Sequence, residues 1–172
     1  MLHIYYGKGK GKTSAALGLI LRAAGYKKKI IFVQFLKPPK SLSGECISIR
    51  KFTNVKQIRF EQTHPVFLKK KTAVQIKKLK ECIQESILTL KEIVQNKNFD
   101  ILVCDEVLNL IDFIKESDLV KIFTKIKNKK EIILTGINKP KKLAKIADYI
   151  TEFRLVKHPF QKGTIARKTI EY

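Results

Sequence analysis

The residues with the clearest chemical potential lie near the start of the chain, in a stretch rich in glycine. Gly7, Gly9 and Gly11 alternate with lysines, and Lys12 and Thr13 follow them. Glycines let the backbone approach a ligand closely, and a loop that opens a helix aims its N–H groups and the positive end of the helix dipole at one point. A lysine there reaches the distal phosphates of a nucleotide, and a threonine hydroxyl binds Mg²⁺. The spacing therefore predicts a polyphosphate site.

The flanking residues predict the elements that hold this loop. Residues 2–6 are apolar, aromatic or β-prone and predict a short buried strand, and residues 13–24 predict a helix that ends at Gly25. The phosphate-loop consensus places its first glycine where this chain has Tyr6, and Gly7 comes one residue later. The alternative is a flexible basic turn. Three glycines and a lysine–threonine pair between a strand and a helix favour nucleotide binding.

A second chemical feature is the apolar stretch 101–106, which ends in Asp105 and Glu106. One of these acids is expected to hold Mg²⁺ or Mn²⁺, directly or through water, and the other to orient a ligand. We expect both to lie close to Thr13 across the nucleotide, on a strand next to the glycine-loop strand. Amide replacement of either acid is expected to raise the Mg²⁺ requirement with little loss of fold.

Apolar runs and periodicities predict the other elements. Further strands are expected at 29–36, 57–60, 131–135, 149–156 and 164–172, and further helices at 72–96, 117–127 and 141–147. Thr72 and Gln75 have capping-box spacing, and Ser117 is the expected N-cap of its helix. Apolar strands without alternation are typical of parallel sheets, and their alternation with helices predicts a three-layer, mainly parallel α/β sheet. The 172 residues are expected to form one domain, 1–172.

Charge and cysteine usage narrow the classes of function. The chain has 36 Lys+Arg against 15 Asp+Glu, a net charge of +21, but only five of the basic residues are arginines. Because the lysines are spread along the whole chain, a lysine-rich bias is favoured over nucleic-acid binding, and the surface attracts anions such as ATP either way. Cys46, Cys82 and Cys104 are too scattered for a zinc site, and their odd count favours a reducing cytoplasm. Neither a leader segment nor a membrane span is expected.

Five segments together point to a family. They are GKGKGKTSAALGLILRAAG at 7–25, VQFLK at 33–37, ILVCDE at 101–106, LTG at 134–136 and ADYITEFRLVKHPFQKGTIARKTIEY at 147–172. With them the sequence resembles the phosphate-loop corrinoid adenosyltransferases of the ATP:cob(I)alamin type over nearly its whole length. The closing segment is the most specific, because phosphate-loop proteins in general do not share it. A first glycine displaced to Gly7 is also usual in this family.

The resemblance implies a RecA-like homodimer that transfers the 5′-deoxyadenosyl group of ATP to cobalt and releases triphosphate. A flavoprotein reductase is implied as a transient partner, because the corrinoid must be reduced. Thr13, Asp105 and Glu106 would serve the metal, and Lys12 and Thr13 would be the catalytic residues. The implied ATP-binding residues are Gly7, Lys8, Gly9, Lys10, Gly11, Lys12, Thr13, Ser14 and Arg22.

On the corrinoid side the sequence departs from its relatives. The chain has no Trp, whereas well-known relatives place an aromatic pair including Trp below the corrin. Phe67 is the nearest candidate: residues 60–71 would form a lid with Phe67 on the lower corrin face. The alternative is that Phe67 packs on the domain and has no part in corrinoid binding. Ile137 stands where the family has an arginine, and Asn109 lies near the position of a family tyrosine.

Two other classes of function stay open on the residues alone. A phosphate-loop ATPase or kinase would act at the γ-phosphate and give ADP instead of triphosphate. A basic ATP-dependent nucleic-acid-binding protein would bind DNA or RNA with a steep dependence on salt.

Overall fold

A computed structural model describes residues 1–37, 43–61 and 72–157, and residues 159, 163, 167, 169 and 170 of the C-terminal segment. Its strands are β1 (Leu2–Tyr6), β2 (Ile30–Lys37), β3 (Val55–Glu61), β4 (Ile101–Asp105), β5 (Glu131–Gly136) and β6 (Tyr149–Glu152). Its α-helices are α1 (Lys12–Gly25), α2 (Gly44–Ile49), α3 (Ala73–Asn96) and α4 (Glu116–Thr124). Short 3₁₀ helices span Val107–Asp112 and Leu143–Ile146. Among the helices of these ranges, none has the length and apolar character to cross a membrane.

The six strands form one sheet in the order β3-β2-β4-β5-β1-β6, and every neighbouring pair is parallel. This confirms the predicted parallel α/β sheet. One expectation was wrong, because β5 lies between the glycine-loop strand β1 and the acidic strand β4. The carboxyl ends of parallel strands share one edge of the sheet, so the loop and the acids still meet there.

Helices cover both faces of the sheet, as the three-layer prediction requires. On one face Leu90 of α3 and Phe123 of α4 belong to the same buried cluster as Leu102 of β4. On the other face Ile20 of α1 packs with Phe32 of β2. Because both faces of the central strands are buried, those strands are apolar at successive positions and not at alternate ones.

Helix starts follow the sequence in one case and depart from it in another. The capping box of α3 is confirmed: the Gln75 backbone N–H donates to Thr72 Oγ1 (3.2 Å), and the Thr72 N–H donates to Gln75 Oε1 (3.1 Å). The expected cap at Ser117 was wrong, because α4 begins at Glu116 and its N-cap is Lys115. The Glu116 carboxylate instead accepts two backbone N–H groups next to the 3₁₀ turn at 143–146, which ties the two segments together.

The C-terminal part contains less strand than expected. Strand β6 ends at Glu152, because the backbone of Phe153 turns to pair with the glycine loop. Within the expected strand at 164–172, the described residues Arg167, Thr169 and Ile170 do not lie in a strand.

Candidate nucleotide and metal site

The glycine loop between β1 and α1 is shaped by close backbone packing. Gly7 and Gly11 have φ values of 115° and 108°, which L side chains rarely adopt. The Gly9 N–H donates to the Phe153 carbonyl oxygen at 2.7 Å, and a Cβ on Gly9 would lie 2.6 Å from the Arg154 carbonyl oxygen. The segment after β6 therefore leaves no room for a side chain at Gly7 or Gly9, whereas at Gly11 the backbone conformation is what favours glycine.

Lys12 begins α1 and folds back over the loop. Its Nζ donates to the Gly9 carbonyl oxygen at 2.7 Å, so the ammonium lies beside the backbone that would surround a phosphate chain. Partial burial lowers the pKa of Lys12 and outweighs the opposing effect of Glu106 and Asp105. The helix start and this ammonium together place positive charge at one end of the loop.

Asp105 at the end of β4 is fully buried, accepts hydrogen bonds from two hydroxyls and forms an ion pair with a lysine. Its Oδ1 accepts from the hydroxyls of Thr13 (2.9 Å) and Thr135 (2.7 Å), and its Oδ2 lies 2.8 Å from Lys37 Nζ. Burial alone would raise the pKa of Asp105, but the charge of the Lys37 ammonium and the hydrogen bonds from Thr135 and Thr13 hold that pKa below its usual value. Asp105 therefore stays ionised and fixes the Thr13 hydroxyl.

Lys37 bridges the two acids because of an irregularity in β2. The register with β3 shifts between Gln34 and Lys37, and Leu36 is left-handed with φ 52°. Lys37 Nζ lies 2.6 Å from Glu106 Oε1. Burial alone would lower the pKa of Lys37, but the negative charges of Asp105 and Glu106 outweigh it and raise that pKa above its usual value. Glu106 is also left-handed, and its N–H donates to Thr135 Oγ1 at 2.9 Å. The sequence prediction of site residues missed Lys37 and Thr135, although both lie at carboxyl ends of strands.

The oxygen atoms at this point fit a small divalent cation. Thr13 supplies a hydroxyl, and the Glu106 carboxylate is partly exposed, at 28%. The Oδ1 atom of Asp105 accepts from Thr13 and Thr135, which favours an indirect role through Thr13. Its buried Oδ2 is ion-paired with Lys37 and has no hydrogen-bond partner among the described residues. Within the described ranges, no group of three or more His, Cys, Asp or Glu side chains could hold a metal ion. Phosphate oxygens and water would therefore have to complete the coordination of Mg²⁺.

The low pKa of Asp105 predicts an acid-dependent loss of stability. Its unfolded pKa is about 3.9, so its contribution is present above that pH and is lost as the pH falls toward the lower folded pKa. We expect the free-energy difference between wild type and Asp105→Asn, from urea unfolding, to be constant between about pH 7 and 5. This difference in unfolding free energy should become smaller below about pH 4. A difference that stays constant down to about pH 2.5 would contradict the charge assignment.

The other predicted ATP-binding residues are not gathered equally. Lys8, Lys10 and Ser14 are exposed on the loop and the first turn of α1, within reach of a ligand on the loop. Arg22 is exposed in the last turn of α1, ten residues after Lys12 and about 15 Å further along the helix axis. The fold does not bring Arg22 to the loop, and its ATP role stays a prediction.

On the corrinoid side, Asn109 has a structural contact and Phe67 is outside the described residues. Asn109 is buried, and its Oδ1 accepts from the Ile137 N–H at 2.7 Å. A Cβ on Gly136 would lie 2.6 Å from Leu108 Cβ, so the end of β5 packs closely on the 3₁₀ turn after the acids. Residues 60 and 61 of the expected lid belong to β3, and the rest of that expectation, 62–71, lies outside the described residues.

The sheet order, the glycine loop and the contact of Thr13 with Asp105 define a phosphate-loop nucleotide-binding protein with a RecA-like α/β fold. The family described as ATP:corrinoid adenosyltransferase BtuR/CobO/CobP matches residues 1–172, and the chain belongs to this family.

Curated relatives have the same description. A corrinoid adenosyltransferase from Escherichia coli (strain K12) is 27% identical and covers 98% of this chain and 84% of the relative. Corrinoid adenosyltransferases from Pseudomonas aeruginosa and a Sinorhizobium species are 27% and 25% identical, covering 100% and 96% of this chain and 83% and 77% of the relatives. Among solved structures, AMPPCP-bound DnaA from Aquifex aeolicus aligns with a TM-score of 0.42 at 17% identity, over 98% of this chain and 48% of that one.

Proposed function

We propose that this chain, as an ATP:corrinoid adenosyltransferase, moves the 5′-deoxyadenosyl group of ATP to the cobalt of a reduced corrinoid and releases triphosphate. Membership of the family over residues 1–172 carries the reaction. The location of the site is supported by the hydrogen bond from Thr13 Oγ1 to Oδ1 of the buried Asp105, which is 2.9 Å long. We treat 1–172 as one catalytic domain.

The reaction needs little proton chemistry from the protein. Cobalt(I) supplies the electron pair that forms the bond to C5′, and the C5′–O bond breaks with its electrons going to the triphosphate. The protein must hold the two reactants in line and stabilise the negative charge that builds on the leaving group. In this proposal the ammonium of Lys12 and the N–H groups of the glycine loop carry out the second task.

In the same proposal Mg²⁺ or Mn²⁺ is bound by Glu106, the Thr13 hydroxyl and the triphosphate. The metal would neutralise part of the phosphate charge. Asp105 is a positioning residue, because its Oδ1 accepts from the Thr13 hydroxyl and its buried Oδ2 faces the Lys37 ammonium. Glu106 is the acid that remains partly exposed, so it takes the role in direct binding.

Glu106→Gln tests the metal role. We expect the Mg²⁺ concentration that gives half-maximal rate to rise by about tenfold or more, because a neutral amide is a weaker ligand for a hard cation. Initial rates of adenosyl transfer are measured against free Mg²⁺ at fixed ATP. Glu92→Gln, on the exposed face of α3, makes the same charge change and should titrate like wild type. A Glu106→Gln curve that overlies the wild-type curve would show that the metal role is wrong.

One assay separates adenosyl transfer from the other classes of function. The protein is incubated anaerobically with ATP, Mg²⁺ and cob(I)alamin, and the alkyl-cobalt spectrum and the nucleotide products are followed. Triphosphate formed in step with the alkyl-cobalt product supports the proposal. Production of ADP without an alkyl-cobalt spectrum would contradict it and favour an ATPase or kinase. Steeply salt-dependent binding to DNA or RNA would instead favour a nucleic-acid function.

The remaining assignments rest on the family resemblance. We propose a cytoplasmic homodimer that receives its reduced corrinoid with help from a flavoprotein reductase.

Phe67 is proposed to lie against the lower corrin face and to displace the lower ligand by its volume. Phe67→Ala should then impair turnover that starts from cob(II)alamin more than turnover that starts from cob(I)alamin, and equal losses would reject this role.

A further inference from the structure

Lys37 lies where the two acids would otherwise meet a cation. Its Nζ is 2.8 Å from Asp105 Oδ2 and 2.6 Å from Glu106 Oε1. Asp105 is fully buried, and the Lys37 side chain is 16% exposed, so water screens this contact little. Hydrogen bonds between charged groups at such distances are among the stronger polar contacts in proteins. The chain therefore provides a well-placed positive charge to the acid pair.

The backbone has an unusual conformation on both sides of this ion pair. Leu36, immediately before Lys37, and Glu106 are both left-handed, with φ 52° and 64°. Residues other than glycine adopt this conformation infrequently. At Leu36 it coincides with the register shift between Gln34 and Lys37 in the pairing of β2 with β3, and Lys37 Nζ reaches Asp105 at the end of β4. The position of Lys37 is thus fixed by the ends of two strands, unlike that of a mobile surface lysine.

The second lysine of the site has a different partner. Lys12 Nζ donates to the Gly9 carbonyl oxygen at 2.7 Å, on the glycine loop. Lys37 alone among these two lysines is within ion-pair distance of the acids. The Lys12 ammonium therefore contacts the phosphate loop, and the Lys37 ammonium contacts the acid pair.

We propose that Lys37 supplies the acid pair with a cation from within the chain, so that a divalent metal binds Glu106 tightly only together with a nucleotide. A bare metal ion competes with the Lys37 ammonium for the Glu106 carboxylate and gains few protein ligands besides the Thr13 hydroxyl. A triphosphate brings further oxygen ligands for the metal and a new anionic partner for the displaced ammonium. The inference rests on the metal role proposed for Glu106.

The test is Mn²⁺ binding to the purified full chain without nucleotide, measured from the free Mn²⁺ signal in electron paramagnetic resonance. Lys37→Met removes the charge and keeps most of the side-chain volume. We expect it to bind Mn²⁺ about tenfold more tightly than wild type, because the competing ammonium is gone. Lys56→Met, at an exposed position of edge strand β3, makes the same charge change away from the acids and should match wild type. Equal Mn²⁺ affinity in Lys37→Met and wild type would overturn the proposal.

Two further variants keep the test decisive. If Lys37→Met fails to fold because Asp105 loses its partner, Lys37→Met/Asp105→Asn is compared with Asp105→Asn alone, and tighter Mn²⁺ binding by the double variant is expected. Equal binding by these two variants would also overturn the proposal.

A separate measurement tests the metal role of Glu106. Mn²⁺ binding to Glu106→Gln is measured with the ATP analogue AMPPCP present, and it should be weaker than binding to wild type under the same conditions. Unchanged binding there would reject the metal role of Glu106 itself, whatever the result for Lys37.

Discussion

Replacing Lys12 by alanine is expected to lower the rate of adenosyl transfer by about 100- to 1,000-fold. The leaving triphosphate would lose a fixed positive charge at the start of α1, where the Lys12 ammonium lies 2.7 Å from the Gly9 carbonyl oxygen. The measurement is the initial rate of alkyl-cobalt formation under anaerobic conditions, with cob(I)alamin and MgATP at saturating concentrations. Saturation matters because it separates loss of leaving-group stabilisation from weaker ATP binding.

The matched control for this variant is Lys28→Ala. Lys28 is exposed just beyond the end of α1, so its replacement makes the same change in charge and size away from the loop. It should keep the wild-type rate, and both variants should melt close to wild type. A wild-type rate in folded Lys12→Ala would contradict the assignment of the phosphate site.

The second large effect is expected on stability, from Asp105→Asn. Asp105 is fully buried, accepts from the hydroxyls of Thr13 and Thr135 and is ion-paired with Lys37. An asparagine is neutral, has one acceptor oxygen and places an NH₂ group opposite the hydroxyls or the ammonium. Breaking a buried ion pair from one side costs about 3 kcal/mol or more. The melting temperature should therefore fall by roughly 6–12 °C, measured by thermal unfolding at pH 7.

Asp112→Asn is the control for that measurement. Asp112 is exposed on the 3₁₀ turn that follows the acids, and the same carboxylate-to-amide change there should leave the melting temperature nearly unchanged. Equal melting of Asp105→Asn and wild type would show that the buried charges contribute little. The sequence alone predicts little loss of fold at Asp105, and its complete burial is the reason for the revised expectation.

Much of the site follows from local sequence. Gly7, Gly9 and Gly11 predict the loop because glycine is favoured at the φ values of Gly7 and Gly11 and because a side chain at Gly7 or Gly9 would clash with the segment after β6. The apolar run of β4 ending in Asp105 and Glu106 predicts a buried strand that brings acids to the ligand-binding edge. These features are short-range, so spacing and residue type are enough to read them.

Other expectations failed where an element's end depends on distant contacts. The cap of α4 and the extent of β6 depend on which backbone groups are paired by other segments. In particular, Glu116 accepts backbone N–H groups 26 and 27 residues away. Phe153 leaves the strand to accept from Gly9. Local propensity contains no information about such partners.

The sequence by itself determined the parallel α/β class, the phosphate loop and the pair of acids, because each is written in consecutive residues. Only the tertiary structure decided which side chains contact each acid. It places β5 between the loop strand and the acidic strand, so Thr135 reaches Asp105. It also turns Lys37 onto both acids through the left-handed Leu36. Residues 30 or 68 positions from Asp105 meet it only because parallel strands bring their carboxyl ends to one edge of the sheet.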